Sequence, residues 1–233
     1  MTTGANQLSN KVRGTALRFG QAVRWLPQRL LRLGKHLQHF CWSDPQWWVE
    51  SGYVVLDILA VPELYETLAD WLKWRTRPLT PAEVTLLTPL FGTSLHYDRI
   101  RIDERAYLGP PQWNICYVSF STINAWGAMN PALLIHEVVH VWQFQHLGSV
   151  YIPRALRAQR SRAGYNYGGA IQVANWAQRS ASLQDFNPEQ QADLVADYWR
   201  IQHGLPAYWG PAGLADLPFY AYFVAQLQTD GSA

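Results

Sequence analysis

Apolar residues recur at helical intervals along most of this chain. Residues 1–12 are polar, the composition of a mobile terminus. Between residues 13 and 40, Leu17, Val23, Leu26, Leu30, Leu33 and Leu37 fall on or near one stripe. Arg13, Arg18, Arg24, Arg29, Arg32 and Lys35 form a positive face beside it. Pro27 should kink or split this helix. Trp42, Trp47 and Trp48 precede the apolar stretch Tyr53 to Ala60, where period and length do not separate a buried helix from a strand. Pro62 starts a helix through Leu64, Leu68, Trp71, Leu72 and Trp74, and Arg75 to Thr80 is a short link. Thr80-Pro81-Ala82-Glu83 is a capping box, and the helix it opens carries Val84, Leu87 and Leu90 to a stop at Gly92.

The pattern then changes. His96 to Asp103 alternates through Tyr97, Ile100 and Ile102, and Asn114 to Thr122 is the stronger strand candidate, with Ile115, Tyr117, Val118 and Phe120. Next comes a helix that is apolar nearly all round: Leu133, Leu134, Ile135, Val138, Val139, Val141 and Trp142, with Asn130 as cap, Pro131 at the first position and Gly148 at the stop. Such a helix is buried. Asn187-Pro188 opens another, through Leu194, Val195, Tyr198, Trp199 and Ile201 to Gly204. A Pro- and Gly-rich loop runs to Pro218, and residues 219–228 form a short aromatic helix or strand. These elements predict an α+β fold, mainly α, with a small antiparallel sheet. A basic segment, 1–40, precedes a single domain, 41–233.

The most apolar helix contains His136-Glu137-Val138-Val139-His140. Positions four apart share a helix face, so His136 and His140 can offer two imidazole nitrogens to one ion, with Glu137 beside them to take a proton from a metal-bound water. The bland alternative is a core helix with two hydrogen-bonded histidines. Burying two imidazoles and a carboxylate without partners costs several kcal/mol, and a metal removes that cost. A third ligand is needed. Glu189 and Asp193 sit four apart at the start of the second helix. Glu189 can bind zinc, and Asp193 can accept the other ring N–H of His136 and fix its tautomer. The alternative for this pair is ordinary acid chemistry at a helix N-terminus.

His-Glu-x-x-His followed at a distance by Glu-x-x-x-Asp, each on a helix, resembles the gluzincin metallopeptidases. From about Arg77 to Arg200 the resemblance is closer. Arg77-Pro-Leu-Thr-Pro-Ala-Glu-Val84, Phe91-Gly92 and Tyr97 to Ile102 look like the start of the metallopeptidase-like core domain found in loci for extracellular contractile injection systems (eCIS). His136 to Gln143, Tyr165-Asn166-Tyr167 and Phe186 to Ala192 look like related "Vgr-related" bacterial proteins. The resemblance implies a zincin-like domain holding Zn2+ on His136, His140 and Glu189, with Glu137 as general base. It also implies that a strand before the metal helix borders the cleft and can pair with an extended peptide. Tyr165 and Tyr167 are candidates to donate to a developing oxyanion, although glycine-flanked tyrosines are also common in loops.

Composition narrows the function classes. Of 233 residues, 48% are hydrophobic and 15% charged, which excludes a disordered chain. A net charge of +2 argues against general nucleic-acid binding. Cys41 and Cys116 make no disulfide framework or metal-cluster spacing. No secretory h-region and no stretch approaching 18 apolar residues is present, so a cytoplasmic protein, or one peripheral to a membrane, is expected. Twelve Trp residues exceed ordinary usage and allow an aromatic partner surface. Three readings follow: a zinc metallopeptidase of unassigned peptide or protein substrate; a zinc-stabilised structural or cargo component of a contractile injection system; and a protein docking on an anionic membrane surface or an acidic partner through residues 13–40. For that segment, the alternative is a helix packed on the domain with a solvated basic side.

Overall fold

The computed structural model describes residues 4–73, 76–107, 109–113 and 115–229, and for 4–7 the backbone alone. In chain order the elements are α1 (Gly4–Gln38), α2 (Pro45–Ile58), α3 (Val61–Leu72), β1 (Thr76–Pro78), α4 (Pro81–Phe91), β2 (Arg101–Asp103), the short α5 (Pro110–Trp113), β3 (Tyr117–Ser119), β4 (Thr122–Asn124), α6 (Pro131–Leu147), α7 (Tyr151–Gln159), α8 (Gly169–Gln178), α9 (Pro188–Gln202) and α10 (Leu217–Thr229). The α+β, mainly α, class is what the sequence pattern predicts.

Helix α6 is the centre of the core. The Asn130 side chain accepts the Leu133 N–H at 2.9 Å, and Pro131 needs no donor there. Leu134, Ile135, Val138, Val139, Val141 and Trp142 are all buried. The Trp142 indole donates to the Leu227 carbonyl of α10 at 3.2 Å. Helix α9 packs along α6 more extensively than any other pair of elements. At the far end, Gly148 stops α6 at φ +75°, and a Cβ there would collide with the Asp57 carboxylate. That carboxylate accepts the Ser149 N–H at 2.8 Å and ties α2 to the end of α6.

Four short strands form one sheet in the order β1-β2-β4-β3. β1 with β2 and β3 with β4 are antiparallel, but β2 and β4 are parallel, with Ile102 beside Ile123. The expected antiparallel sheet is therefore mixed. The stretch expected as one strand over Asn114 to Thr122 doubles back at Phe120, whose φ is +60°, so the second arm of the hairpin lies against β2. Asn114 is outside the described residues. His96 to Asp103 is a strand only at its end; Tyr97–Arg99 is a 3-10 turn. The ambiguous stretches 53–60 and 219–228 are helical, in α2 with a short turn and in α10. Trp74 and Arg75 are outside the described residues.

Helix α1 is continuous through Pro27. Pro27 is exposed, as is Val23, whose carbonyl Pro27 leaves without a donor, so water can serve it. Its basic side is not simply solvated. Lys11, Arg18 and Arg29 are buried against the acids of α3. Arg18 lies 3.1 Å from Asp70 and 3.8 Å from Glu66, and Arg29 pairs with Glu63. The Lys11 ammonium donates to the Asp70 carbonyl. Arg13, Arg24 and Lys35 remain exposed. No helix among the described residues is long and apolar enough to cross a membrane.

Burial should decide which arginines matter for stability. Arg18→Ala removes the guanidinium paired with Glu66 and Asp70 and leaves them only that of Arg101, and should lower unfolding free energy by roughly 3–5 kcal/mol, whereas exposed Arg13→Ala should stay within about 0.5 kcal/mol. Urea denaturation of the two variants checks this.

Candidate metal centre

The α6–α9 contact brings His136, His140 and Glu189 together. The His136 Nε2 and His140 Nε2 atoms are 3.3 Å apart, and Glu189 Oε2 lies 3.5 Å from the first and 3.3 Å from the second. Both histidines rise from one face of α6. Glu189 is in the first turn of α9, held there because the Asn187 side chain accepts the Glu189 and Gln190 N–H groups at 3.0 Å.

The tautomers follow from the outer hydrogen bonds. His136 Nδ1 lies 2.7 Å from Asp193 Oδ1, and a carboxylate can only accept, so Nδ1 carries the proton. Asp193 is held from its other oxygen by the Trp209 indole N–H at 2.6 Å. His140 Nδ1 faces Gln143 Oε1 at 2.9 Å. The Gln143 amide donates both N–H groups, to the Pro188 carbonyl at 3.0 Å and to Gln191 Oε1 at 2.9 Å, so its oxygen must face the ring. His140 therefore donates from Nδ1 as well. Each neutral ring keeps a bare lone pair on Nε2.

Glu189 completes the set. It is 1% exposed, its Oε1 accepts from Gln159 Nε2 at 2.8 Å, and its Oε2 is buried with no hydrogen-bond donor. In these neutral tautomers three acceptor atoms converge, leaving room for a cation among them. Four ligands at about 2.05 Å around zinc are separated by about 3.3 Å, close to this triangle. The donor set, two imidazoles and a carboxylate, is one that zinc takes. These residues fit a tetrahedral ion with one position left for water.

The same acids draw in a cation, and without a metal a proton on the imidazoles is the cation they hold. Burial works against a charged His136 ring, yet the Asp193 and Glu189 carboxylates outweigh it and push its pKa up to about 10. Burial also opposes the charged form of Glu189, but the His140 and His136 rings hold it far below the usual carboxylate range. Burial pushes Glu137 up, with the two rings opposing. Glu137, Glu189 and Asp193 together make a strongly negative pocket that favours a cation.

A cleft of about 870 Å3 runs over these residues. Glu137 faces it, beside the Cys116 thiol, whose pKa burial and Glu137 raise. β3, the edge strand of the sheet, borders it through Tyr117 and Val118. Tyr165 also lines it, its ring centroid 6.1 Å from that of His136. Tyr167 is elsewhere. It is buried, and its hydroxyl donates to Asp197 at 2.6 Å and pairs with Tyr220 at 3.0 Å, so the expected oxyanion donor narrows to Tyr165. Gln143, Gln159, Tyr151 and Trp209 were not apparent from sequence. Gln143 stands one helical turn after His140, a spacing that carries a signal; the others come from separate elements and carry none. Tyr151 is buried against the cleft with its hydroxyl donating to the Val118 carbonyl at 3.2 Å.

No family model matches the chain, and no solved structure matches it. A type VI secretion system spike protein, VgrG2b of Pseudomonas aeruginosa, is 30% identical to it over 136 residues. The match covers 53% of this chain and 13% of that protein. Over about half its length, then, the chain is similar to part of a secretion-system spike protein.

Proposed function

We propose that the chain is a zinc-binding module of a contractile injection apparatus, and that its metal centre hydrolyses peptide bonds. A place in such an apparatus is supported by the partial similarity to a VgrG spike protein. Zinc binding and hydrolysis are supported by the site alone, and by one observation above all. Glu189 Oε2 is buried with no other hydrogen-bond partner, facing the Nε2 atoms of the two imidazoles at 3.3 and 3.5 Å.

Zinc, when bound by His136, His140 and Glu189, lowers the pKa of a water toward neutrality and polarises a carbonyl. The protein's own residues do the rest. Asp193 and Gln143 hold the two rings in the tautomer that leaves Nε2 free, and Gln159 holds Glu189. The Glu137 carboxylate accepts a proton from the attacking water and returns it to the leaving amine, so one peptide bond and one water become an acid and an amine. Its raised pKa brings it nearer the range where both transfers are efficient. The phenol of Tyr165 at the cleft can donate to the carbonyl oxygen as charge develops there. The edge strand β3 borders the cleft, where an extended peptide can run beside it, with the Val118 carbonyl already held by Tyr151.

The spike-protein similarity bears more directly on a second reading: a zinc-stabilised, non-catalytic component of the injection apparatus. The two readings differ at Glu137. Stoichiometric co-purification with spike, tube or baseplate proteins, with no peptide cleavage, would favour the second.

The purified chain should contain one zinc per molecule, lost in His136→Ala and Glu189→Ala by elemental analysis. Glu137→Gln should keep the zinc and lose peptide hydrolysis by a factor of about 10²–10⁴; undiminished hydrolysis sinks the mechanism. Gln143→Ala should weaken zinc binding about 10–100-fold in competition with a chelator, because the His140 ring loses its orienting acceptor.

A further inference from the structure

Helices α1 to α3 are built inside out. Helix α1 contains no acidic residue. Its buried side carries Lys11, Arg18 and Arg29, and the acids of α2 and α3 turn inward to meet it or its neighbours. Asp57, Glu63, Glu66 and Asp70 are buried, and Glu50 is half-buried and paired with Arg154 at 2.7 Å. The outward side is apolar. On α1, Val12, Phe19, Val23, Leu26, Leu30 and Leu37 recur at intervals of three, four or seven residues on one stripe, with Phe19 69% and Val23 75% exposed. On α2, α3 and the turn between them, the outward residues include Trp48, Val55, Leu59, Leu68, Trp71 and Leu72.

These outward faces join. Phe40, at the end of the α1 stripe, packs edge-on against Trp48, which packs against Trp42. The Trp71 indole donates to Thr15 of α1 at 3.0 Å, and the Trp48 indole to the Trp42 carbonyl at 3.1 Å. With their N–H groups already bonded within the protein, these exposed rings can enter an apolar phase without stranding a donor. A stretch this rich in exposed apolar side chains is far from a solvated surface.

Charge says what covers it. No acid within α1, α2 or α3 is fully exposed, Asp44 at the α2 cap being the exposed acid among described residues 8–73, and the exposed cations of α1 stand in a line: Arg13, Arg24 and Lys35, eleven residues apart, which is three helical turns. An apolar stripe flanked by a cationic line, with indoles at its edge and charges paired in the interior, is the arrangement of a helix layer lying in a lipid interface. No described helix can span a bilayer, so the layer lies along it. We infer that the outer face of α1–α3 embeds in the surface of an anionic lipid bilayer, with Arg13, Arg24 and Lys35 at the headgroups. This inference is independent of whether the metal centre hydrolyses peptides.

The test is co-sedimentation of the full chain with vesicles of phosphatidylcholine alone and of equal parts phosphatidylcholine and phosphatidylglycerol. The chain should sediment with the anionic vesicles and much less with the neutral ones. Val23→Asp with Leu30→Asp should weaken partitioning roughly tenfold or more. Arg24→Gln with Lys35→Gln should weaken it about fivefold per cation removed. All four positions are exposed, and unchanged helicity and metal content would show that the variants fold. Three results overturn the inference: no sedimentation with either vesicle; binding to anionic vesicles that survives the aspartate variants and so reflects surface charge alone; or a dimer or protein complex that the aspartate variants disperse while the chain ignores lipid.

Discussion

The packing of α9 against α6 is the constraint on which the site depends. The histidines come from the middle of one helix and the glutamate from the first turn of the other, so their convergence is set by how the two helices meet. That meeting is apolar almost throughout, with Val138, Val139, Leu194 and Val195 fully buried. Packing at crystal-like density leaves the helices little freedom to slide. The three atoms are therefore held close by the helices rather than by their own chemistry alone. A neutral imidazole lone pair beside a carboxylate oxygen is repulsive until a cation lies between them.

Around this seam the polar groups form a closed set. Asp193 and Gln143 each fix one ring, Trp209 and Gln191 fix those two in turn, and Gln159 fixes the glutamate. Each of these buried polar side chains answers another, leaving Glu189 Oε2 as the atom without a donor. Its unanswered lone pair is informative because the side chains that hold the two rings and its own other oxygen are each answered. The contrast with Tyr167 is useful. Its hydroxyl is equally buried but fully partnered by Asp197 and Tyr220, so it contributes to packing and leaves the cleft to Tyr165.

The molecule carries two layers of opposite polarity. Around α6 the inside is apolar. Between α1 and α3 the inside is ionic, with Arg18 between Glu66 and Asp70 and Arg29 against Glu63. Burial raises the pKa of Glu66 to about 7 despite Arg18, which shows how dry that interior is. Such pairs add little net stability but tolerate no missing partner. They orient α1 so that its leucines and valines face out, the reverse of an ordinary amphipathic helix on a soluble domain.

Much of this was legible in the chain. The caps Thr80, Asn130 and Asn187, each followed by proline, set helix starts through local hydrogen bonds. The apolar circumference of α6 dictated its burial, and the four-residue spacings placed His136 with His140 and Glu189 with Asp193. These are local facts, dependent on residues a few positions apart. The pairing of β2 with β4, the inward turn of Arg18 and Arg29, and the supports from Gln159 and Trp209 were decided only in three dimensions. Each depends on a partner dozens of residues away, and neither a strand's neighbour nor the face a mixed helix buries is written in its own periodicity. For α1 the periodicity showed two stripes; only the acids of α3, brought against it by the fold, determined which one faces inward.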